Sequence, residues 1–119
     1  MTLYHYCCDH SRAGIDADGV LHPGVDGLVW LTDLAPNALG REKLRKALGL
    51  TSTTLKCDRL EHAYMANPRD AIPYLQAVSK GIVSQAWHRS AVGPHHRPAN
   101  WYVATVDVPA LPAGKAVGR

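Results

Sequence analysis

The chain has 119 residues, of which 46% are hydrophobic and 19% are charged, and its formal net charge is +3. These values are typical of one globular domain with one modest core, and they exclude a disordered chain. A weak positive charge permits contact with phosphates but does not identify a nucleic-acid-binding protein. No apolar run approaches the ~20 residues of a membrane helix, and the first residues lack a signal-peptide pattern, so we expect no membrane segment.

The cysteines predict a reducing compartment and no metal site. Cys7, Cys8 and Cys57 are an odd number with two adjacent, which does not suit a disulfide framework and indicates a cytoplasmic protein. Neighbouring residues on a strand point to opposite faces, so neither the adjacent cysteines nor the pair His95 and His96 has the spacing of a zinc site.

The first third of the chain predicts short strands separated by loops. Residues 3–8 are aromatic and apolar, which is typical of a strand, and a helical turn at 12–15 can follow them. Glycine, aspartate and proline make 16–27 a loop, with a brief strand at 20–22. The apolar run 27–32 predicts a buried strand.

The rest of the chain mixes helices and strands without regular alternation. The predicted elements are a helix over 37–48 capped by Asn37, a strand over 51–60 that 62–65 continues or follows, a helix from Pro68 or Asp70 to Val78, a loop over 90–99 and a strand over 101–108. This order predicts a single α+β domain over 1–110, with one or two main helices and a flexible C-terminal tail over 111–119.

Two strand segments carry residues suited to ligand binding. His5 can bind a ribose hydroxyl or a phosphate, but it can equally be a buried histidine whose ring bonds a neighbouring carbonyl. Trp30 offers a flat surface for stacking, or it belongs to the core. Thr32 and Asp33 could bind a ligand, although Asp33 could also cap the following turn.

Charged residues later in the chain have similar alternatives. Arg59, next to Asp58, could clamp a pyrophosphate, or it could form a surface ion pair with Glu61. The histidines and arginines at 88–89 and 95–97 form a basic loop near a phosphate or nucleic acid, or a solvated loop. No glycine-rich phosphate loop and no nucleophilic triad is readable.

Taken in order, these segments resemble the small ADP-ribosyltransferase-like domains of the His-Tyr-Asp type that occur in actinobacterial and phage proteins. The resemblance covers about the first 110 residues and is sharpest over the first 33. It is carried by LYHY at 3–6, GVLHP at 19–23, GLVWLTD at 27–33, the segment from LTS at 50–52 to CDR at 57–59, and RPANWYV at 97–103.

The resemblance implies a split, twisted β-sheet that holds NAD in a cleft. In that arrangement His5 binds the adenosine-side ribose or a phosphate, the backbone beside Tyr6 grips the nicotinamide amide, and Trp30 packs on or near the nicotinamide ring. With Thr32 and Arg59 added from their chemistry, these five residues are the predicted NAD-binding residues.

Related transferases place an acidic residue at the start of a late strand, where it stabilises the positive charge that builds on the ribose. This chain has Asn100 there, so Asn100, Asp58 and Asp33 are the candidate catalytic residues. The resemblance thus implies an NAD-dependent ADP-ribosyltransferase or NAD glycohydrolase without a metal.

Such a protein would act on a protein, nucleic acid or small molecule inside a bacterial or phage-infected cell, as a phage or bacterial-conflict effector. The alternative is a non-catalytic nucleotide- or nucleic-acid-binding module on the same fold, which Asn100 and the basic loop favour. A third hypothesis, RNA 2′-phosphotransferase-like chemistry, lacks a full motif set.

Overall fold

The computed structural model describes residues 2–50, 59–66, 69 and 71–114. Its strands are β1 Leu3–Cys7, β2 Val20–Leu21, β3 Val29–Thr32, β4 His62–Ala66, β5 Ile72–Pro73, β6 Trp101–Ala104 and β7 Val108–Gly114. Its helices are α1 Asp9–Asp18, α2 Arg41–Ala47, α3 Tyr74–Ser79 and α4 Gln85–Ala91, with a 3-10 turn at Pro98–Asn100. The predicted α+β class is confirmed.

The strands form one sheet in the order β2-β7-β4-β1-β3-β6-β5, and every neighbouring pair is antiparallel. Because side chains alternate across a strand and paired residues share a face, the register fixes two faces. The face that carries Tyr4, Tyr6, Trp30 and Trp101 packs against α2 and α3, and we call it the α2 face. The opposite face packs against Ile15 of α1.

The sheet is weakly joined in the middle. β1 pairs with β4 along its whole length, and β3 pairs with β6 along its whole length. β1 and β3 are aligned only where Tyr4 lies opposite Thr32. The α2 face likewise carries two clusters, one around Leu44 of α2 and one around Tyr74 of α3, and Leu48 packs against both. The sheet therefore has two halves that meet at one position.

Helix α2 is shorter than predicted. It begins after Gly40, not at Asn37, because Asn37 has a φ of 67° and lies in a turn before the helix. Asparagine is one of the few residues that tolerates this left-handed conformation. Leu44 of this helix is fully buried, in a cluster with Leu60 and Ala63.

Several other boundaries differ from the predictions. The predicted strand over 101–108 is two strands separated by a bend, and β7 continues to Gly114, so residues 111–114 of the predicted tail lie in the sheet. Helix α3 begins at Tyr74, after the short β5, and α1 is longer than the predicted turn. Residues 51–58 of the predicted strand lie outside the described residues, and Arg59 and Leu60 form a turn.

The cysteines differ from the sequence-based expectation. Cys7 is buried and is not disulfide-bonded, whereas Cys8 is disulfide-bonded, and Cys57 lies outside the described residues. An odd number of cysteines therefore does not prevent a disulfide. A disulfide does not support the predicted reducing compartment. No helix in the described part of the chain is long and apolar enough to span a membrane.

His22, which follows β2 at one edge of the sheet, contacts two carboxylates, Asp18 at the end of α1 and Asp107 just before β7. Its Nδ1 lies 3.0 Å from Asp107 and its Nε2 lies 3.0 Å from Asp18, so both ring nitrogens can donate only when the imidazole is protonated. The hydrogen bond to Asp107, followed by that to Asp18, raises the pKa of His22. A raised pKa in the folded state stabilises the protein below the ordinary histidine pKa, and this contribution is lost as the pH rises through the folded value.

We therefore expect His22→Gln to lower the thermal midpoint at about pH 5.5 and to have a smaller effect at about pH 9, where the histidine is neutral. Thermal unfolding of both proteins across this pH range measures the difference. If the difference in thermal midpoint between the two proteins grew as the pH rises, it would contradict the stabilising role of protonated His22. His95→Gln is the control, because the exposed His95 takes part in no hydrogen bond or ion pair within the described residues.

Candidate functional site

A cleft of about 610 Å³ opens where the two halves of the sheet meet, and it is lined by residues from both faces of β1 and β3. Strands β1 and β3 contribute Tyr4, His5, Tyr6, Trp30 and Thr32 to its lining. The rest of the lining comes from Leu31 of β3, Trp101 of β6, the segment that follows α2, helix α4, the loop before β6, Asp26 and Arg59. All five predicted NAD-binding residues, namely His5, Tyr6, Trp30, Thr32 and Arg59, line this one cleft.

His5 lies at the junction of the two halves of the sheet. Its Nδ1 is 2.8 Å from the carbonyl oxygen of Trp30, so Nδ1 carries the proton and donates it. Burial lowers the pKa of His5, and the hydrogen bond to Trp30 offsets only part of that effect. The ring is therefore neutral near pH 7, and its Nε2 remains a hydrogen-bond acceptor with no partner among the described residues. The sequence allowed that His5 bonds a neighbouring carbonyl, and the structure shows this bond. It leaves one ring nitrogen available to a ligand.

The hydroxyl groups of Tyr6 and Thr32 are already engaged. Tyr6 donates to the carbonyl of Leu34 over 2.6 Å, and burial raises its pKa. Thr32 is only 2% exposed, donates to the carbonyl of Asn100 over 2.7 Å and accepts from the amide of Leu34. These two residues shape the cleft, but their hydroxyl protons are not available to a ligand.

Three tryptophans line one side of the cleft. The ring centre of Trp30 lies 5.5 Å from that of Trp87 and 6.2 Å from that of Trp101. Tyr74 packs against all three rings from the core. The indole of Trp30 therefore belongs to a core cluster and also lines the cleft, and its stacking on a ligand stays a prediction.

The predicted catalytic residues lie away from this lining. The Asn100 amide donates to Asp33 over 2.8 Å, and the Tyr102 hydroxyl donates to the other Asp33 oxygen over 3.4 Å. Neither Asp33 nor Asn100 lines the cleft, and Asp58 lies outside the described residues. The structure thus brings Asp33 and Asn100 together, but as partners of each other.

Asp26 is the carboxylate that the sequence analysis missed. Of the acidic side chains in the described residues, it alone lines the cleft. Its Oδ2 accepts from the indole nitrogen of Trp30 over 2.8 Å, and its Oδ1 accepts from the Leu28 amide over 3.0 Å. Asp26 lies in the glycine-rich loop before β3, where aspartate usually indicates only a turn.

Arg59 supplies the positive charge of the cleft. It is exposed and lines the cleft, and it forms no ion pair within the described residues, so the alternative pair with Glu61 is not formed. A guanidinium without a carboxylate partner can bind a phosphate. Within the same described ranges, no group of three or more histidine, cysteine or acidic side chains is placed to hold a metal ion.

Comparison of the chain with protein-family models, with curated proteins and with solved structures gives no match.

Proposed function

We propose that the protein binds NAD in this cleft and releases nicotinamide, either transferring ADP-ribose to an acceptor or hydrolysing NAD. The observation that carries the proposal is the junction of the two halves of the sheet. There a neutral His5 with an available Nε2 lines one cleft with Trp30 and Arg59.

The chemistry of these groups suits the parts of a dinucleotide. The cleft volume of about 610 Å³ lies within the range of small-molecule sites. His5 Nε2 accepts a hydrogen bond from a ribose hydroxyl, Arg59 binds pyrophosphate oxygens, and the indole of Trp30 stacks on the nicotinamide.

Asp26 then takes the electrostatic role. When the bond between the ribose and the nicotinamide nitrogen breaks, the nitrogen takes the electron pair and positive charge builds on the ribose. A fixed carboxylate stabilises that charge, and Asp26 is held beside Trp30 by two hydrogen bonds. Water or an acceptor hydroxyl then attacks the ribose carbon and loses its proton.

A non-catalytic nucleotide-binding module is the second candidate, and one observation favours it. The position where related transferases carry their acid holds Asn100, whose amide is bound to Asp33 outside the cleft. Such a module would bind NAD through His5, Trp30 and Arg59 without cleaving it.

Incubating the purified protein with NAD and separating free nicotinamide by chromatography tests the proposal. We expect nicotinamide to accumulate, slowly with water and faster with a suitable acceptor. Binding of NAD without nicotinamide release from any acceptor would establish the binding module. Absence of NAD binding would overturn both.

Replacing Trp30 tests the stacking surface. Trp30→Ala should weaken NAD binding by about 1–3 kcal/mol, the range for a lost aromatic stack, whereas Trp30→Phe should lose much less. Calorimetric titration measures both, after thermal unfolding has shown that each variant is folded. If folded Trp30→Ala binds NAD with unchanged affinity, Trp30 does not contact the ligand. Leu75→Ala is the control, because Leu75 is exposed on α3 and does not line the cleft.

A further inference from the structure

A second histidine, His96, lines the same cleft. Its Nδ1 accepts a hydrogen bond, whereas Nδ1 of His5 donates one. The backbone amide of Gly93 donates to His96 Nδ1 over 3.0 Å. A nitrogen that accepts from an N–H group carries no proton, so in the neutral ring the proton lies on Nε2. His96 therefore offers a donor, where His5 offers an acceptor.

The position of the ring is set from three sides. The His96 amide also donates to the Gly93 carbonyl, so the turn from 93 to 96 is closed by backbone and side chain together. The ring centre lies 6.0 Å from that of Trp101. A Cβ at Gly49 would lie 3.3 Å from the imidazole, a tight contact, and the φ of +69° at this position also favours glycine.

The hydrogen bond from Gly93 also determines what His96 can do. The Gly93 N–H group occupies Nδ1, so a ligand meets the ring at Nε2. A neutral imidazole that donates from Nε2 is a poor general acid, because losing that proton would leave an imidazolate. It is well suited to hold an anionic oxygen without transferring a proton.

We propose that His96 is a phosphate-binding residue of the cleft, donating from Nε2 to a pyrophosphate oxygen that Arg59 also contacts. This proposal rests on the proposed function for its natural ligand, NAD. The two histidines divide the ligand between them, His5 accepting from ribose hydroxyls and His96 donating to phosphate oxygens. Two donors on one phosphate group favour a dinucleotide over a nucleoside.

Calorimetric titration with inorganic pyrophosphate, ADP-ribose and adenosine tests the proposal. His96→Phe keeps the ring against Trp101 but removes the donor, and it should weaken pyrophosphate and ADP-ribose binding about tenfold or more while leaving adenosine unchanged. His96→Gln, which keeps an N–H donor, should lose less. His95→Phe is the matched control, because the neighbouring His95 does not line the cleft.

A measurement on the unaltered protein does not depend on how the variants fold. Nitrogen NMR of the histidine rings should show His96 protonated on Nε2 and unprotonated on Nδ1, and pyrophosphate should shift the Nε2 resonance. Proton placement on Nδ1, no response to pyrophosphate, or equal loss of adenosine binding in His96→Phe would overturn the proposal. Pyrophosphate binding that depends on His96 without nicotinamide release would support His96 and count against the enzyme alone.

Discussion

Replacing Asp26 with asparagine should slow nicotinamide release by about 10²–10³-fold, the usual effect of removing one group that stabilises a transition-state charge. The side chain keeps its size and one acceptor oxygen, so it retains one of its bonds to Trp30 and Leu28. NAD affinity should change much less, because the positive charge on the ribose develops only as the bond breaks. Initial rates of nicotinamide release, measured beside calorimetric affinities, separate the two effects.

Asp33→Asn is the matched control for this experiment. It removes a carboxylate of the same size in the same half of the sheet, but one that is bound to Asn100 and lies outside the cleft lining. We expect a rate close to that of the unaltered protein once folding is confirmed. A larger loss of rate in Asp33→Asn than in Asp26→Asn would contradict the role of Asp26. It would indicate that Asp33, at the end of β3, stabilises the charge.

Replacing Tyr74 with alanine should lower the free energy of unfolding by about 3–5 kcal/mol, as expected for removing a large aromatic side chain from a core. Tyr74 is 0% exposed, and its ring contacts Trp30, Trp87 and Trp101, so the cavity would open directly behind the tryptophan side of the cleft. Urea denaturation monitored by tryptophan fluorescence measures the loss.

Tyr74→Phe separates the ring from the hydroxyl. It should cost only about 1 kcal/mol, because it removes one hydrogen bond, the 2.8 Å contact with Nδ1 of His88, and leaves the packing intact. Equal losses for alanine and phenylalanine would show that the hydroxyl, and not the ring, supports the cluster.

The sheet was predictable where the residue pattern matches a strand that is buried by its neighbours. β1, β3 and the first part of the last predicted strand lie where the apolar runs indicate them. β7 was missed because Pro109 and Pro112 cannot donate to a ladder and usually indicate a loop, yet both lie in the strand. Helix α4 was missed because none of its residues is buried, so it has no apolar stripe to detect.

The sequence predicted the site residues that lie on strands. It did not predict the site residues that lie in loops. Alternation alone does not decide the lining, because residues 4–6 of β1 and 30–32 of β3 all line the cleft, whereas Asn100, in the turn before β6, does not. Asp26 lies in a turn and His96 lies in a loop. Their positions depend on hydrogen bonds with Trp30 and Gly93, and no periodic pattern in the sequence indicates such bonds.

In most antiparallel sheets the hydrogen bonds between neighbouring strands, the rungs of the ladder, are donated by backbone amides. These amides keep their protons at every physiological pH. Between β1 and β3, the carbonyl of Trp30 receives its proton from an imidazole instead. His5 thus joins the halves of the sheet beside the Tyr4–Thr32 pair, and the same ring has Nε2 without a partner among the described residues. Acid that protonates His5 would leave this rung in place but turn the free acceptor into a donor, so a hydrogen bond with a ribose hydroxyl of the proposed ligand would reverse its direction while the sheet stays joined.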